Sequence, residues 1–151
     1  MQKSNIPLYF CTSFGIGYLS RFPGTLSSFL ILPFIWIVKS YLGLKIFLCF
    51  EIFFVIFSFI LVHEAIKKLS NKDPKFIVID EYVGQSIALI FCNEKIIEYI
   101  LAFIFFRFFD ILKPFPINYF DKQKNSFGVV MDDIFAGIIS GLIIYFIFKW
   151  I

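Results

Sequence analysis

The chain has 151 residues, the length of one domain by the usual range of about 100–200, and 60% of them are hydrophobic against about 45–50% in soluble domains. This composition, with 17% charged residues and 24 phenylalanines, excludes a disordered chain, a coiled coil and a disulfide scaffold, and it indicates an integral membrane protein. The net charge of +3 is too small, and its Lys and Arg residues too dispersed, to predict binding to nucleic acid, whereas a mild positive excess suits an anionic membrane leaflet.

A glycine-rich stretch, Phe14–Ser28, precedes the first long apolar segment. A loop of this kind followed by a helix can direct backbone N–H groups at an anion, and Thr25 or Ser27 is expected to cap the helix that follows. The P-loop pattern is absent, so a simple turn is an alternative interpretation. The apolar run before this stretch is too short for a signal peptide.

Five apolar segments follow one another along the chain, and their lengths predict how each meets the membrane. They are Phe29–Val38, Leu44–Val62, Tyr82–Cys92, Ile96–Phe109 and Ile134–Ile151. The second and the last approach the roughly 20 residues that a helix needs to cross about 30 Å of hydrocarbon, but the others are shorter. Because the runs lack the period-two alternation of strands, we predict an all-α fold. Residues 1–151 are expected to form one compact helical bundle, partly embedded in the membrane, with some short or incompletely spanning helices.

The loops between the segments predict an orientation. Two long polar loops, His63–Glu81 and Lys113–Asp133, carry seven lysines between them, whereas the turns Lys39–Gly43 and Asn93–Lys95 are short. Cytoplasmic loops of membrane proteins carry an excess of Lys and Arg. Both long loops and the N-terminus are therefore predicted to face the cytoplasm.

Five of the eleven acidic residues stand at the ends of apolar segments: Asp80, Glu81, Asp110, Asp132 and Asp133. If the predicted orientation holds, all five share the cytoplasmic edge. Carboxylates that reach one face from three parts of the chain are what an oxygen-ligated Mg²⁺ shared with a substrate phosphate requires. The alternative is that they are helix caps, and Asp132 or Asp133 could simply cap a helix starting at Ile134.

Asp110 fits that alternative less well, because it closes a helix, where a negative charge is unfavourable unless it is compensated. Arg107, one turn earlier, and Lys113, just after, could compensate the charge or could hold a phosphate. Acidic groups near membrane depth are costly to keep, which favours a functional interpretation of the set.

Other hydrolase chemistries lack their residues. A cysteine phosphatase needs an arginine six positions after its thiolate, but Gly17 stands there after Cys11, and Cys49 and Cys92 do no better, so all three are predicted to be small buried apolar residues. With His63 as the single histidine and no G-x-S-x-G run, histidine phosphatases, zinc hydrolases and serine hydrolases are disfavoured. The chemistry that remains is carboxylate-bound Mg²⁺ acting on a phosphorylated substrate, and the apolar composition favours a lipid.

Four runs of the chain together resemble the bacterial phosphatidylglycerophosphatase A family. They are FPGTLSS (Phe22–Ser28), IVIDEYVGQ (Ile77–Gln85), FRFFDILKPFPI (Phe106–Ile117) and GVVMDDIFAG (Gly128–Gly137). The resemblance covers nearly the whole chain in the right order. It implies an all-helical, Mg²⁺-dependent phosphatase of the inner membrane that removes the terminal phosphate of phosphatidylglycerophosphate to give phosphatidylglycerol.

The acids and the basic residues around them fall on the motif positions of that family, and they are assigned as follows. Asp80, Glu81, Asp132 and Asp133 are predicted to bind Mg²⁺, and Asp110 to complete the site or act as a base. Arg107, Lys113, Arg21, Thr25 and Ser27 are predicted to bind the substrate phosphate.

Some alternatives stay open at this point. The attacking group is either a metal-activated water or an aspartate that forms a transient phospho-aspartate intermediate. A membrane-bound phosphatidyl-group transferase is an alternative, but the DGxxAR-type run of spaced aspartates typical of such enzymes is absent from this sequence, which counts strongly against it. In a small non-enzymatic membrane subunit, the acids should line a path through the bilayer instead of gathering at one face. The sequence makes no prediction of the oligomeric state.

Overall fold

The computed structural model describes residues 6–67, 69 and 74–149. These residues form six α-helices and one 3₁₀ turn, and no strand occurs among them: α1 (Ile6–Cys11), the 3₁₀ turn (Ile16–Tyr18), α2 (Pro23–Ile66), α3 (Ile79–Ile90), α4 (Ile96–Leu112), α5 (Ile117–Asp121) and α6 (Ser126–Lys149). The predicted all-α fold is confirmed.

Helix α2 is a hairpin of two arms. Its backbone leaves the helical conformation at Gly43, where φ is 77° and ψ is 167°, values that a glycine adopts without steric cost. The ring centroids of Phe34 and Phe50 lie 6.1 Å apart, although sixteen residues of unbroken helix would separate them by about 24 Å. The first arm, residues 23–42, and the second arm, residues 44–66, therefore run antiparallel and correspond to the first two predicted segments.

The two short turns meet at one end of the bundle, hereafter the far end. The Lys39 ammonium donates to the carbonyl oxygen of Leu89 at 2.9 Å and to that of Cys92, and it lies 3.7 Å from a Glu94 carboxylate oxygen. A lysine in this place supplies hydrogen bonds to carbonyls that the end of α3 leaves unpaired. These contacts bring the two short turns together.

Helices α3 and α6 cross in close contact through small residues. A Cβ atom added at Gly137 would overlap the carbonyl oxygen of Gly84, and one added at Gly141 would come within 2.9 Å of the carbonyl oxygen of Ala88. Small residues spaced four apart on facing helices allow such close backbone packing in membrane proteins. The crossing sets the first turn of α3 beside the second turn of α6.

Two helices, α2 and α6, are long and apolar enough to cross a membrane by length and composition. Helices α3 and α4, with 12 and 17 residues, fall short of the roughly 20 that a full crossing needs, as predicted for incompletely spanning helices.

The three cysteines differ in burial. Cys11 and Cys92 are buried, as predicted, but Cys49 is exposed on the second arm of α2, so the prediction of burial was wrong for Cys49. Its neighbour Ile52 is also exposed, and a small apolar thiol costs little on such an apolar outer face.

Candidate active site

A cavity of about 530 Å³ opens at the end of the bundle opposite the far end. It forms where the first turns of α2 and α3 meet the last turn of α4 and the second turn of α6. Its lining includes all five predicted acids (Asp80, Glu81, Asp110, Asp132 and Asp133) and four of the five predicted phosphate-binding residues (Arg21, Thr25, Arg107 and Lys113).

Three of the acids form a carboxylate triad: Asp80, Glu81 and Asp133 each offer an oxygen within 4.8 Å of the other two. Asp80 and Asp133 are only 6% and 4% exposed. Among the described residues, Glu81 Oε2 and Asp133 Oδ1 are buried without a hydrogen-bond partner. Clustered carboxylates with unpartnered oxygens fit a hard, oxygen-seeking divalent cation such as Mg²⁺.

The electrostatics of the triad agree with that fit. Burial raises the pKa of Glu81 to about 8, a hydrogen bond with Asp80 opposes the rise, and the negative charges of Asp133 and Asp110 add to it. Burial also raises the pKa of Asp80 well above its ordinary value, with the charge of Glu81 adding to the effect. A divalent cation held among these groups would favour their ionised forms and so reverse these shifts.

Asp132, the fourth predicted metal ligand, has a different partner. Its Oδ2 atom lies 2.6 Å from Lys113 Nζ, which also contacts Asp121. Burial alone would lower the pKa of Lys113, but the carboxylates of Asp132 and Asp121 outweigh it and raise that pKa. Consecutive residues of a helix point about 100° apart. Asp133 therefore points toward Asp80 and Glu81, whereas Asp132 points toward the end of α4.

Arg107 and Asp110 form the ion pair that the sequence predicts. Arg107 Nη1 lies 2.7 Å from Asp110 Oδ2, one turn apart on α4, so the arginine offsets the charge at the end of this helix. The same Nη1 atom donates to Ser28 Oγ at 3.4 Å, and Arg107 Nε is buried without a partner among the described residues. The guanidinium thus keeps a donor for a phosphate oxygen.

The first turn of α2 lines the opposite wall of the cavity. Helix α2 begins at Pro23 with no side-chain cap, so the N–H groups of Gly24 and Thr25 lack acceptors within the helix and suit an anion. A Cβ atom at Gly24 would overlap a Glu81 carboxylate oxygen and lie 3.1 Å from Arg107 Nη1. Glycine at this position therefore lets the side chains of Glu81 and Arg107 approach the backbone of the first turn of α2 closely.

The predictions for Thr25 and Ser27 need correction. Neither residue caps a helix starting at Phe29, because the helix already begins at Pro23. Ser27 also does not line the cavity: its hydroxyl is fully buried and donates to the carbonyl oxygens of Pro23 and Gly24, both at 2.9 Å. The next residue, Ser28, contacts Arg107 instead.

The cap interpretation of Asp132 and Asp133 is wrong for the same kind of reason. Helix α6 begins at Ser126, and the Asn125 side-chain oxygen accepts the N–H of Gly128 at 2.7 Å as its cap. Both aspartates thus lie in the second turn, beyond any capping position. His63 lies outside the cavity, where its Nδ1 atom is 3.1 Å from Ser126 Oγ.

Two further residues at the site were not predicted from the sequence. Lys75 lines the cavity, although the sequence suggested for it only a part in the membrane orientation. Asp121, at the end of α5, forms an ion pair with Lys113. In the sequence Asp121 is an isolated acid in a polar loop, which gave no indication of this contact.

A family model described as Phosphatidylglycerophosphatase A matches residues 9–148. The chain belongs to the phosphatidylglycerophosphatase A family. It is 40% identical over 139 residues to Phosphatidylglycerophosphatase A of Haemophilus influenzae, covering 91% of this chain and 85% of that protein. It is 32% identical over 149 residues to Phosphatidylglycerophosphatase A of Escherichia coli, covering 97% and 86%.

A third relative, from Bacteroides thetaiotaomicron, carries the provisional name phosphatidylinositol-3-phosphatase and is 33% identical over 157 aligned positions, covering 99% of this chain and 98% of that protein. No solved structure matches the chain. The resemblance found in the sequence is confirmed, and as a phosphatidylglycerophosphatase A family member the protein is a phosphatase.

Proposed function

We propose that the protein removes the terminal phosphate of phosphatidylglycerophosphate to give phosphatidylglycerol, in a reaction that depends on Mg²⁺. The observation that carries this proposal is the convergence of the carboxylate triad with Arg107 and Lys113 on one cavity of an apolar bundle. The names of two relatives supply the substrate.

In this proposal, Asp80, Glu81 and Asp133 hold the metal ion. When bound, Mg²⁺ would supply Lewis-acid polarisation of the phosphoryl oxygens and would lower the pKa of a water. Arg107 and the first turn of α2 bind the phosphate oxygens from the other side, and their positive charge stabilises the charge that develops on them. Asp110, held by Arg107, is placed on the cavity wall to accept a proton from the attacking water.

The apolar rim of the cavity supports a lipid substrate. Phe22 and Ile111 line the cavity and are 73% and 66% exposed, and Phe115, close after α4, is 82% exposed. Large apolar side chains around the mouth of a charged cavity are expected where a protein meets the membrane interface. We place the cavity at the cytoplasmic face of the inner membrane, on the strength of the lysines in the two long loops.

The metal dependence has a direct test. Excess chelator is expected to abolish phosphate release by the purified protein from phosphatidylglycerophosphate, and added Mg²⁺ to restore it, because the triad cannot bind the phosphate without a cation. Phosphate release from phosphatidylinositol 3-phosphate is measured in parallel, since one relative is named for that substrate. Full activity in excess chelator would contradict the proposed metal site, and a clear preference for the inositol lipid would contradict the proposed substrate.

The orientation can be tested by labelling single cysteines in a variant that lacks Cys11, Cys49 and Cys92. Cysteines replacing the exposed Lys67 and Lys124 are expected to react with a membrane-impermeant maleimide only after the cells are lysed. A cysteine replacing the exposed Tyr41, beside the Gly43 turn of the α2 hairpin, is expected to react in intact cells. Labelling of Lys67→Cys and Lys124→Cys from opposite sides would be incompatible with one cytoplasmic site.

A further inference from the structure

A second concave surface lies on the outside of the bundle, between the first arm of α2 and helix α4. This surface, the α2–α4 groove, has a volume of about 440 Å³, within the range of about 300–1,000 Å³ typical of small-molecule sites. Its walls include Phe29, Leu30, Pro33 and Trp36 from α2 and Ile96 and Ile100 from α4.

The α2–α4 groove lies next to the active-site cavity along the same two helices. On α2, Thr25 lines the cavity and Phe29 lines the groove, four residues or about 6 Å further along the helix. On α4, which runs in the opposite direction, Arg107 lines the cavity and Ile100 lines the groove, about two turns away. The rings of Phe29 and Phe103 are in edge contact at 5.9 Å, at the end of the groove nearer the cavity, so a chain that enters the groove from the cavity passes over this pair.

The chemistry of the α2–α4 groove suits a hydrocarbon chain. No charged side chain lines it, and its walls are accessible from outside, with Phe29 and Ile96 exposed. From Phe29 to Ile37 the groove follows eight residues of helix, or about 12 Å. That length is close to half of the roughly 30 Å hydrocarbon core, which is the depth of one leaflet.

We propose that the α2–α4 groove binds one acyl chain of the phosphorylated lipid, so that the head group of the same molecule enters the cavity. The inference rests on the proposed function, which makes a lipid the substrate. Binding energy from a part of the substrate remote from the phosphate would then position the phosphate for reaction. A free phosphomonoester without acyl chains lacks this contact and binds through the cavity alone.

A kinetic comparison tests the assignment. Ile100→Trp places a large side chain in the groove, and Ile52→Trp places the same side chain on the second arm of α2, at an exposed apolar position outside the groove. Ile100→Trp is expected to lower kcat/KM at least about tenfold for long-chain phosphatidylglycerophosphate, and less than about twofold for its deacylated head group. Ile52→Trp is expected to change neither value by more than about twofold. An equal loss on both substrates, or an equal loss in both variants, would overturn the proposal.

A binding measurement separates this proposal from the proposed function. Trp36 lies in the groove, so in a Trp150→Phe variant its fluorescence reports groove occupancy by phospholipids brominated on their acyl chains. Unlabelled phosphatidylglycerophosphate is expected to relieve the quenching at about tenfold lower concentration than phosphatidylcholine. Equal relief by both lipids would identify the groove as ordinary lipid-facing surface. Selective relief without any phosphate release would leave the groove assigned and the proposed reaction refuted.

Discussion

Replacing Asp133 by Asn is expected to lower kcat/KM by at least about a hundredfold, equivalent to about 2.7 kcal/mol of transition-state stabilisation. The substitution keeps the size of the side chain but removes one of three negative charges that converge within 4.8 Å. Asp80→Asn is expected to behave in the same way. The protein without metal should be as stable as the parent or more stable, because the change removes the cost of burying an ionisable carboxyl group beside other acids.

The controls for this experiment come from the same chain. Glu94→Gln removes an acid at the far end, remote from the cavity, and is expected to leave turnover within about twofold of the parent. Mg²⁺ is expected to raise the melting temperature of the parent and of Asp132→Asn, since Asp132 pairs with Lys113 outside the triad, but not that of Asp133→Asn. Well-folded Asp80→Asn and Asp133→Asn proteins with turnover within a few-fold of the parent would show that the triad does not carry the reaction.

Gly137→Leu is expected to have the largest effect on stability. A Cβ atom alone at this position overlaps the carbonyl oxygen of Gly84, so a leucine must push α6 away from α3. We expect a loss of at least about 3 kcal/mol, the upper part of the usual range for overpacking, and a fall in melting temperature of about 6–12 °C. Activity should fall as well, because Asp133 lies one turn from the crossing and Asp80 one turn from Gly84.

The matched control is Leu142→Val on the same helix, where the side chain is 38% exposed. Its melting temperature is expected to stay within about 2 °C of the parent value. A folded Gly137→Leu protein of parental stability would mean that the two helices do not pack through their glycines.

The residues of the site that could be predicted from the sequence are charged residues that stand within or beside long apolar runs. Asp80, Glu81, Asp110, Asp132 and Asp133 stand out because they interrupt or flank long apolar runs, and charges in such places are costly unless they serve a purpose. Their position beside the apolar run that Asp110 ends indicated Arg107 and Lys113 as well. The all-α fold followed from run lengths without strand alternation.

The parts that could not be predicted depend on rotation about a helix and on contacts between helices. Asp132 and Asp133 are adjacent in sequence and chemically identical, yet one binds a lysine and the other joins the triad, which only the packing of α6 decides. Ser27 and Ser28 differ in the same way. The start of α6 was misplaced because the polar residues Ser126, Asp132 and Asp133 resemble loop, whereas the Asn125 cap begins the helix earlier.

The hairpin at Gly43 also bears on how the chain enters a membrane. In the proposed orientation both ends of the hairpin stay on the cytoplasmic side, so insertion has to carry toward the opposite side only the turn at Gly43, the turn at Asn93–Lys95 and the end of α6. Each unpaired charge at the bilayer centre costs about 2.5–3.5 kcal/mol by insertion measurements. Lys39 and Glu94 reach the far end as an ion pair, so translocation carries fewer isolated charges than the sequence alone suggests.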